Sequence, residues 1–332
     1  MKAEPTILEG KQVSIGYAKR KSTNVLAESL SFQLKKGKLT CLLGPNGVGK
    51  STLIKTIMGQ IPCLSGQILF LNKDIHEHPA KSLAQNISVV LTDRIMGGNL
   101  TVQQLVSLGR TPFTNWLGKL TPEDNRIILE ALQATKTYYL KDQFISEISD
   151  GQLQKVMIAR ALAQDGNLII LDEPTAHLDL VNRYEIMHLL RDITQQQKKS
   201  ILIVTHDLDI AIETADELWI MQCGSPLLCG SPEDLIISGD INQLLTNGQL
   251  LFDLELGKIR PKHASDYPQI KGAKHIRQWL KLALQKNNIK LPDDLEVQIN
   301  ENPLTITVSK GQSKQTSTDI HTTLEMIRAL IF

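Results

Sequence analysis

The chain has 332 residues, and its 36 lysine and arginine residues nearly balance its 35 aspartate and glutamate residues, for a formal net charge of +1. This balance gives no sign of a nucleic-acid-binding surface, and we expect no nucleic-acid partner. The four cysteines lack metal-ligand spacing, which argues against a zinc site or a disulfide framework. Without a recognisable signal peptide or a run of about 18 apolar residues, the chain is expected to be cytosolic and to reach a membrane only through a partner.

The first part of the chain predicts strands that lead into a glycine-rich loop. Apolar and polar residues alternate around Val13 and around Phe32, which is typical of half-buried strands. Residues 39–43 form a short apolar run that ends at a glycine, and residues 52–58 then carry apolar side chains at helical spacing before Gly59. The predicted order is therefore strand, glycine-rich loop and helix.

The rest of the main domain predicts a helical insertion followed by a parallel sheet. Residues from about 93 to 165 have a mainly helical pattern. The apolar runs 168–171 and 200–204 are separated by a helix with an apolar stripe, which is the pattern of parallel strands joined by a crossover. The core is therefore predicted to be α/β, with residues 1–255 as one domain.

A change of composition near residue 256 predicts a small second domain over residues 256–332. A helix with an apolar stripe is followed by two alternating segments, around Val297 and Ile306, that predict a hairpin, and then by a closing helix near Ile327. Trp279 belongs to the first stripe and is expected in the core. The appendage is therefore predicted to be α+β, and no motif assigns its role.

The glycine-rich loop has the composition and spacing of a phosphate-binding P-loop. Its glycines let backbone N–H groups approach phosphate oxygens, and the helix N-terminus that follows favours negative charge. Lys50 is expected to neutralise the outer phosphates of ATP, and the Ser51 hydroxyl is expected to bind Mg²⁺. The residues predicted to bind ATP here are Gly44, Pro45, Asn46, Gly47, Val48, Gly49, Lys50, Ser51 and Thr52.

Two later strands end in polar side chains that suit phosphate chemistry. The run 168–171 is followed by Asp172, which is expected to hold Mg²⁺ through water, and by Glu173, which is expected to orient or deprotonate the attacking water. His206 follows the run 200–204, at the strand end where ligands bind in open α/β sheets, and is expected to reach the γ-phosphate. Alone, such a histidine is more often a capping or core residue, so its catalytic assignment depends on the other motifs.

The ordered set of motifs resembles that of the ATP-binding cassette (ABC) ATPases over about residues 7 to 240. The resemblance implies an antiparallel β subdomain beside the P-loop core, with Tyr17 stacked on adenine. It also implies a head-to-tail homodimer that sandwiches two ATP molecules, in which Ser149, Gly151 and Gln152 contact the γ-phosphate held by the other subunit. Asp179 resembles the residue that links the two sites in this family, although it could equally be a local turn acid.

Two positions depart from the family pattern. Asp150 stands where a second glycine is usual, and we expect its carboxylate to cap the following helix. Thr92 stands where most relatives carry a glutamine that touches Mg²⁺. Because threonine is shorter by two bonds, its contact with the metal would need water, unless Asp93 substitutes for it.

Residues 100–113 resemble the importer branch that serves iron-siderophores, haem and cobalamin. The resemblance implies an ATP-hydrolysing subunit that powers a membrane importer, with integral membrane permease subunits and an external substrate-binding protein as partners. Its place would be peripheral, on the cytoplasmic face of the inner (plasma) membrane. The alternatives are a soluble ABC-type ATPase acting on ribosomes or DNA, an ABC exporter subunit and, outside the family, a P-loop kinase or GTPase.

Overall fold

The computed structural model describes residues 5–19, 22–91, 99–245, 249–254, 257–262 and 267–331. The chain forms two compact units, one of Met1–Thr246 with Leu254–Lys258 and the other of Asn247–Asp253 with Ile259–Phe332. The chain changes from one unit to the other more than once near this boundary. A short strand before residue 254 belongs to the second unit, whereas Leu254–Lys258 belong to the first. Within the described ranges, every helix is too short or too polar to cross a membrane.

The first unit combines two β-sheets with helices. Its strands are β1 (Thr6–Lys19), β2 (Ser22–Lys35), β3 (Leu39–Leu43), β4 (Ser65–Phe70), β5 (Lys73–Asp74), β6 (Ile87–Val90), β7 (Leu168–Asp172), β8 (Ser200–Val204), β9 (Glu217–Ile220) and β10 (Leu228–Gly230). Its helices are α1 (Lys50–Ile57), α2 (Ala80–Asn86), α3 (Val102–Ser107), α4 (Pro122–Ala134), α5 (Asp150–Ala163), α6 (Leu180–Gln197), α7 (Leu208–Thr214) and α8 (Pro232–Ile237).

The two sheets of this unit have the architecture that the sequence predicts. One is antiparallel with the order β2-β1-β4-β5, and the other has the order β10-β9-β3-β8-β7-β6. In the second sheet the strands from β9 to β6 are parallel, and β3, β7 and β8 consist mostly of buried apolar residues. Such runs are expected where a parallel sheet is covered. The α/β core and the antiparallel subdomain are therefore confirmed.

The register of the parallel strands brings their carboxyl ends to one edge. Val204 of β8 pairs with Leu42 of β3 on one side and with Asp172 of β7 on the other. The chain leaves β3 into the P-loop, β7 into Glu173 and β8 into the segment with His206. Three of the predicted functional segments therefore begin at neighbouring points of the same sheet edge.

A buried ion pair holds together the helical subdomain formed by α3, α4 and α5. Arg110, just after α3, donates to the Asp124 carboxylate of α4 at 2.7 Å and to the Ala163 carbonyl at the end of α5 at 2.9 Å. Hydrogen bonds from the backbone and side chain of Thr121, together with the Arg110 guanidinium, lower the pKa of Asp124 to about 2. The end of α5 is thereby fixed to its neighbours.

The second unit has its own hydrophobic core. Its strands are β11 (Leu250–Asp253), β12 (Lys258–Pro261), β13 (Ile270–Gly272), β14 (Leu295–Asn300), β15 (Thr305–Lys310) and β16 (Ser313–Ser317), and its helices are α9 (Lys274–Lys286) and α10 (Ile320–Ile331). β14 and β15 form the predicted antiparallel hairpin, and Leu295, Val297 and Ile299 face the core from alternate positions. β13 lies parallel to β14, and β16 closes the sheet beside β15.

The prediction that Trp279 lies in this core is wrong. The apolar stripe of α9 that packs inward consists of Ile276, Leu280 and Leu284, which are spaced four residues apart. Trp279 is one residue off that stripe, about 100° around the helix. Its side chain is 62% exposed.

We expect Arg110→Met to lower the free energy of unfolding by about 3–5 kcal/mol, because it leaves the buried Asp124 carboxylate without its cation. The measurement is urea unfolding followed by circular dichroism. Since the folded pKa of Asp124 lies below its ordinary value of 3.8, its stabilisation is complete above pH 3.8 and is lost as the pH falls towards 2. The stability difference between wild type and variant should shrink over the same range.

Arg126→Met on α4 is the matched control. Arg126 pairs with Glu123 and Glu130 on the solvent-exposed side of the helix, and such pairs contribute little to stability. An equal loss of stability in the Arg126 and Arg110 variants would contradict the structural role of the buried pair.

Candidate active site

The P-loop joins β3 to α1, and its path depends on glycine. Gly49, the residue before α1, has a φ of 112°, a conformation that residues other than glycine rarely adopt. At Gly44, an added Cβ would lie 2.3 Å from the Met221 carbonyl oxygen. No side chain caps the start of α1, so its first N–H groups can donate hydrogen bonds to an anionic ligand.

Lys50 lies against the P-loop, with its ammonium turned toward the loop carbonyls. Its Nζ donates to the carbonyl oxygens of Gly44 at 2.7 Å and of Pro45 at 3.0 Å. Burial lowers the pKa of Lys50, and the charges of Glu173 and Asp172 oppose that shift. The two carboxylates predicted from β7 are therefore within electrostatic reach of the P-loop lysine.

Tyr17 and the start of α1 lie side by side. The Tyr17 hydroxyl is 3.2 Å from the Thr52 hydroxyl, which joins the end of β1 to the P-loop helix. The Tyr17 side chain remains 40% exposed, so part of its ring is open to a ligand. Ser51 is exposed in the first turn of α1. These positions suit a nucleotide that reaches from the P-loop to Tyr17.

Glu173 and His206 are in direct contact. Their Oε1 and Nε2 atoms are 2.7 Å apart, a distance at which the imidazole N–H donates to the carboxylate. Glu173 has a φ of 49°, in the left-handed region. Its backbone N–H donates to the Val204 carbonyl oxygen at 2.9 Å. Both side chains keep access to solvent. A carboxylate and an imidazole are thus paired at the edge of the sheet where a phosphate would lie.

Two supporting residues escaped the sequence reasoning. The Thr175 hydroxyl donates to the Asp207 carboxylate at 2.6 Å, and this bond links the loop after Glu173 to the loop with His206. The Asp207 backbone N–H donates to the buried Thr205 hydroxyl at 3.0 Å. Asp207 directly follows His206 and Thr175 is two residues after Glu173, and this closeness in sequence was the signal that could have identified them.

Ser149 and Gln152 form a capping box at the start of α5. The Ser149 hydroxyl oxygen accepts from the Gln152 N–H at 3.3 Å, and the Gln152 side-chain oxygen accepts from the Ser149 N–H at 2.9 Å. The expectation that Asp150 caps this helix is therefore wrong, because the residue before it does so and Asp150 lies in the first helical turn. A carboxylate in that turn still interacts favourably with the helix dipole.

Asp179 caps α6. Its carboxylate accepts the backbone N–H of Asn182 at 2.8 Å, and hydrogen bonds from Asn182 lower the pKa of Asp179. Its role in linking two nucleotide sites stays a prediction.

Thr92 and Asp93, proposed near Mg²⁺, lie outside the described residues.

We expect Gly44→Ala to weaken ATP binding strongly, because the new methyl group would collide with the Met221 carbonyl and displace the P-loop. The measurement is the Kd for ATP by isothermal titration, with the thermal midpoint recorded in parallel. Gly118→Ala is the control, since an added Cβ there meets nothing within 4 Å at a φ of 66° and the residue lies outside the P-loop. Equal Kd values for the two variants would contradict this account of the loop.

Comparison with known proteins agrees with the geometry. Residues 27–176 match the family described as ABC transporter. The chain is 37% identical over 238 residues to an uncharacterized ABC transporter ATP-binding protein of Methanocaldococcus jannaschii, covering 72% of this chain and 81% of that protein. It is 36% identical over 237 residues to the iron(3+)-hydroxamate import ATP-binding protein FhuC of Bacillus subtilis, covering 71% of this chain and 87% of that protein.

A solved structure shows the same fold. A component of the ABC transporter complex cbiONQ from Clostridium perfringens superposes with a TM-score of 0.64 at 33% identity, over 72% of this chain and 94% of that chain. The match extends the agreement from sequence motifs to the arrangement of the sheets and helices. The chain therefore belongs to the ABC transporter family and is one of its ATP-hydrolysing ATP-binding proteins.

Proposed function

We propose that the chain powers a membrane importer as a head-to-tail homodimer that sandwiches two ATP molecules. The observation that carries the hydrolytic part of the proposal is the 2.7 Å contact between Glu173 and His206, at the sheet edge that also leads into the P-loop. Similarity to a hydroxamate import protein supports the importer class. The cargo proposed on this basis is an iron-siderophore, haem or cobalamin-type compound.

The residues of one chain that would bind and hydrolyse ATP each have a role that fits their position. ATP would draw the Lys50 ammonium from the loop carbonyls onto the outer phosphates, while the N–H groups at the start of α1 hold their oxygens. Tyr17 would stack on adenine with its exposed ring face. Glu173 would orient or deprotonate the attacking water, and His206 would contact the γ-phosphate.

The oxygen atoms at this edge suit Mg²⁺, which prefers oxygen ligands and retains water. Bound there, the ion would neutralise charge on the β- and γ-phosphates. The Ser51 hydroxyl would hold it directly, and Asp172, at the end of β7, would hold it through water. Thr92, with Asp93 as its alternative, stays a prediction for a further contact.

The start of α5 would complete the nucleotide site of the other subunit. The capping box uses the oxygen lone pairs of the Ser149 hydroxyl, and its hydrogen can still be donated to a γ-phosphate oxygen. Gly151 and Gln152 lie in the same first turn, where the helix dipole favours an anion. Asp179 lies at the start of α6 and would connect the two sites.

A groove in the first unit supports the proposal that the chain binds a membrane protein. It has a volume of about 540 Å³ and lies between the α2 and β6 region and the helical subdomain, where its lining includes Leu83, Val89, Leu108, Pro112 and Arg160. Leu108 and Pro112 belong to the 100–113 stretch that resembles importers. We assign the groove to a helix of an integral permease subunit.

This partner would place the chain at the cytoplasmic face of the inner (plasma) membrane. The permease would convert closing and reopening of the ATP-bound dimer into movement of the cargo. An external substrate-binding protein would deliver that cargo to the permease.

Glu173→Gln should still bind ATP while its kcat falls about 10²–10⁴-fold, because a positioned general base contributes that much. Glutamine has nearly the same size and shape as glutamate, so the substitution removes the base without changing the space that the side chain fills. Single-turnover hydrolysis and ATP titration measure the two effects. Glu213→Gln, the same chemical change on an exposed residue of α7, is the control, and near-normal turnover in Glu173→Gln would remove Glu173 from this role.

Leu108→Glu should abolish co-purification with the permease and leave the ATPase rate of the isolated chain unchanged, because it puts a charge in the lining of the groove. Leu108 is 50% exposed, so the substitution does not disturb a packed core. Leu117→Glu is the control, since Leu117 is 66% exposed in the same subdomain and outside the groove lining. Equal retention of the permease by both variants would reject the groove as the docking site.

A further inference from the structure

The first turn of α6 contacts two chemically important segments through consecutive residues, Asn182 and Arg183. Asn182 is held first by Asp179, whose two carboxylate oxygens accept the Asn182 backbone N–H and side-chain NH₂, each at 2.8 Å. The side-chain bond fixes the orientation of the amide. Its oxygen is therefore presented at a defined place beside the helix.

The fixed amide of Asn182 lies against Gly151, in the first turn of α5. A Cβ added at Gly151 would lie 2.6 Å from the Asn182 side-chain oxygen and 2.9 Å from its Cγ. Gly151 is buried although its neighbours Ser149 and Asp150 are exposed. The starts of α5 and α6 are thus in close contact at one point, and a side chain at position 151 would have to displace the Asn182 amide from its bond to Asp179.

Arg183 contacts the loop before α6 and the loop that contains His206. Its Nε donates to the Leu178 carbonyl at 2.9 Å, and its Nη1 donates to the Asp207 carboxylate at 3.2 Å. Asp207, the residue after His206, also accepts a hydrogen bond from the Thr175 hydroxyl. This bond joins the His206 loop to the loop after Glu173. One guanidinium therefore connects the start of α6 to both loops of the Glu173 and His206 pair.

We infer that Asn182 and Arg183 are positioning residues for ATP hydrolysis, a conclusion that rests on the roles proposed above for Gly151 and His206. Asn182 sets the start of α5, which completes the site on the other subunit. Arg183 sets the His206 loop in the site of its own chain. Because the two residues are adjacent in one helical turn, a shift of that turn moves parts of both ATP sites together.

Asn182 is tested with a double-mutant cycle on Gly151. Asn182→Ala keeps the backbone N–H that Asp179 caps, so α6 should keep its start and the thermal midpoint should hold. We expect kcat to fall about tenfold through misplacement of α5, with KM for ATP within twofold of wild type. Gly151→Ala should reduce kcat at least about tenfold in the wild-type background and by a clearly smaller factor in the Asn182→Ala background, where the amide that the new methyl group would meet is absent. Equal losses from Gly151→Ala in both backgrounds would overturn this role for Asn182.

Arg183 is tested against Arg191, which lies two turns further along α6 and pairs with Asp216 at 2.5 Å. Arg183→Gln and Arg191→Gln each remove one arginine–aspartate pair from the same helix. Only Arg183→Gln should reduce kcat, by about 10- to 100-fold, because only that pair positions a catalytic loop. Equal kcat values for the two variants, with equal thermal midpoints, would overturn this role for Arg183.

The Glu173→Gln variant separates this inference from the proposed function. If Glu173→Gln hydrolyses ATP normally, the proposed catalytic roles fail, and the inference fails with them. If Glu173→Gln is inactive while Asn182→Ala and Arg183→Gln keep the wild-type kcat, only the positioning roles fail. Loss of kcat in all three variants, with retained ATP binding, supports both.

Discussion

The alignment of β7 and β3 on either side of β8 is the constraint on which the rest of the site depends. Because Leu42 and Asp172 both pair with Val204, the P-loop, the two acids and His206 leave the sheet at neighbouring points. The Glu173 to His206 contact at 2.7 Å follows from that register. Nearly every side chain in these strands is buried, and a slip by one residue would carry the polar residue at the end of a strand, such as Asp172, into the covered part of the sheet.

Much of this arrangement could be predicted from the sequence because the relevant signals are local. The apolar run before the P-loop, the run that ends at Asp172 and the run before His206 each specify a buried strand and the polar residue at its end. The rule that ligands bind at the carboxyl ends of parallel strands then places the three segments together. The alternation around Val297 and Ile306 predicted the hairpin of the second unit for the same reason.

Other features depend on contacts between segments that are distant in sequence. Trp279 fits the helical period of α9, but three residues spaced four apart already supply the inward face, so it remains exposed. Asp150 is a good capping residue, yet the serine before it forms the cap together with Gln152. The closeness of Asn182 to Gly151 has no local sequence signal, because the two residues belong to different helices that meet only in the fold.

We propose that the ATP site formed by the P-loop of one chain is completed by the start of α5 from a second copy. The most direct measurement is the structure of the Glu173→Gln chain with ATP and Mg²⁺, and in it the distance from the γ-phosphate to the Ser149 hydroxyl of the second copy. We expect a hydrogen bond of about 2.5–3.0 Å there. A γ-phosphate contacted only by the chain that supplies Lys50, in every copy and assembly, would contradict it.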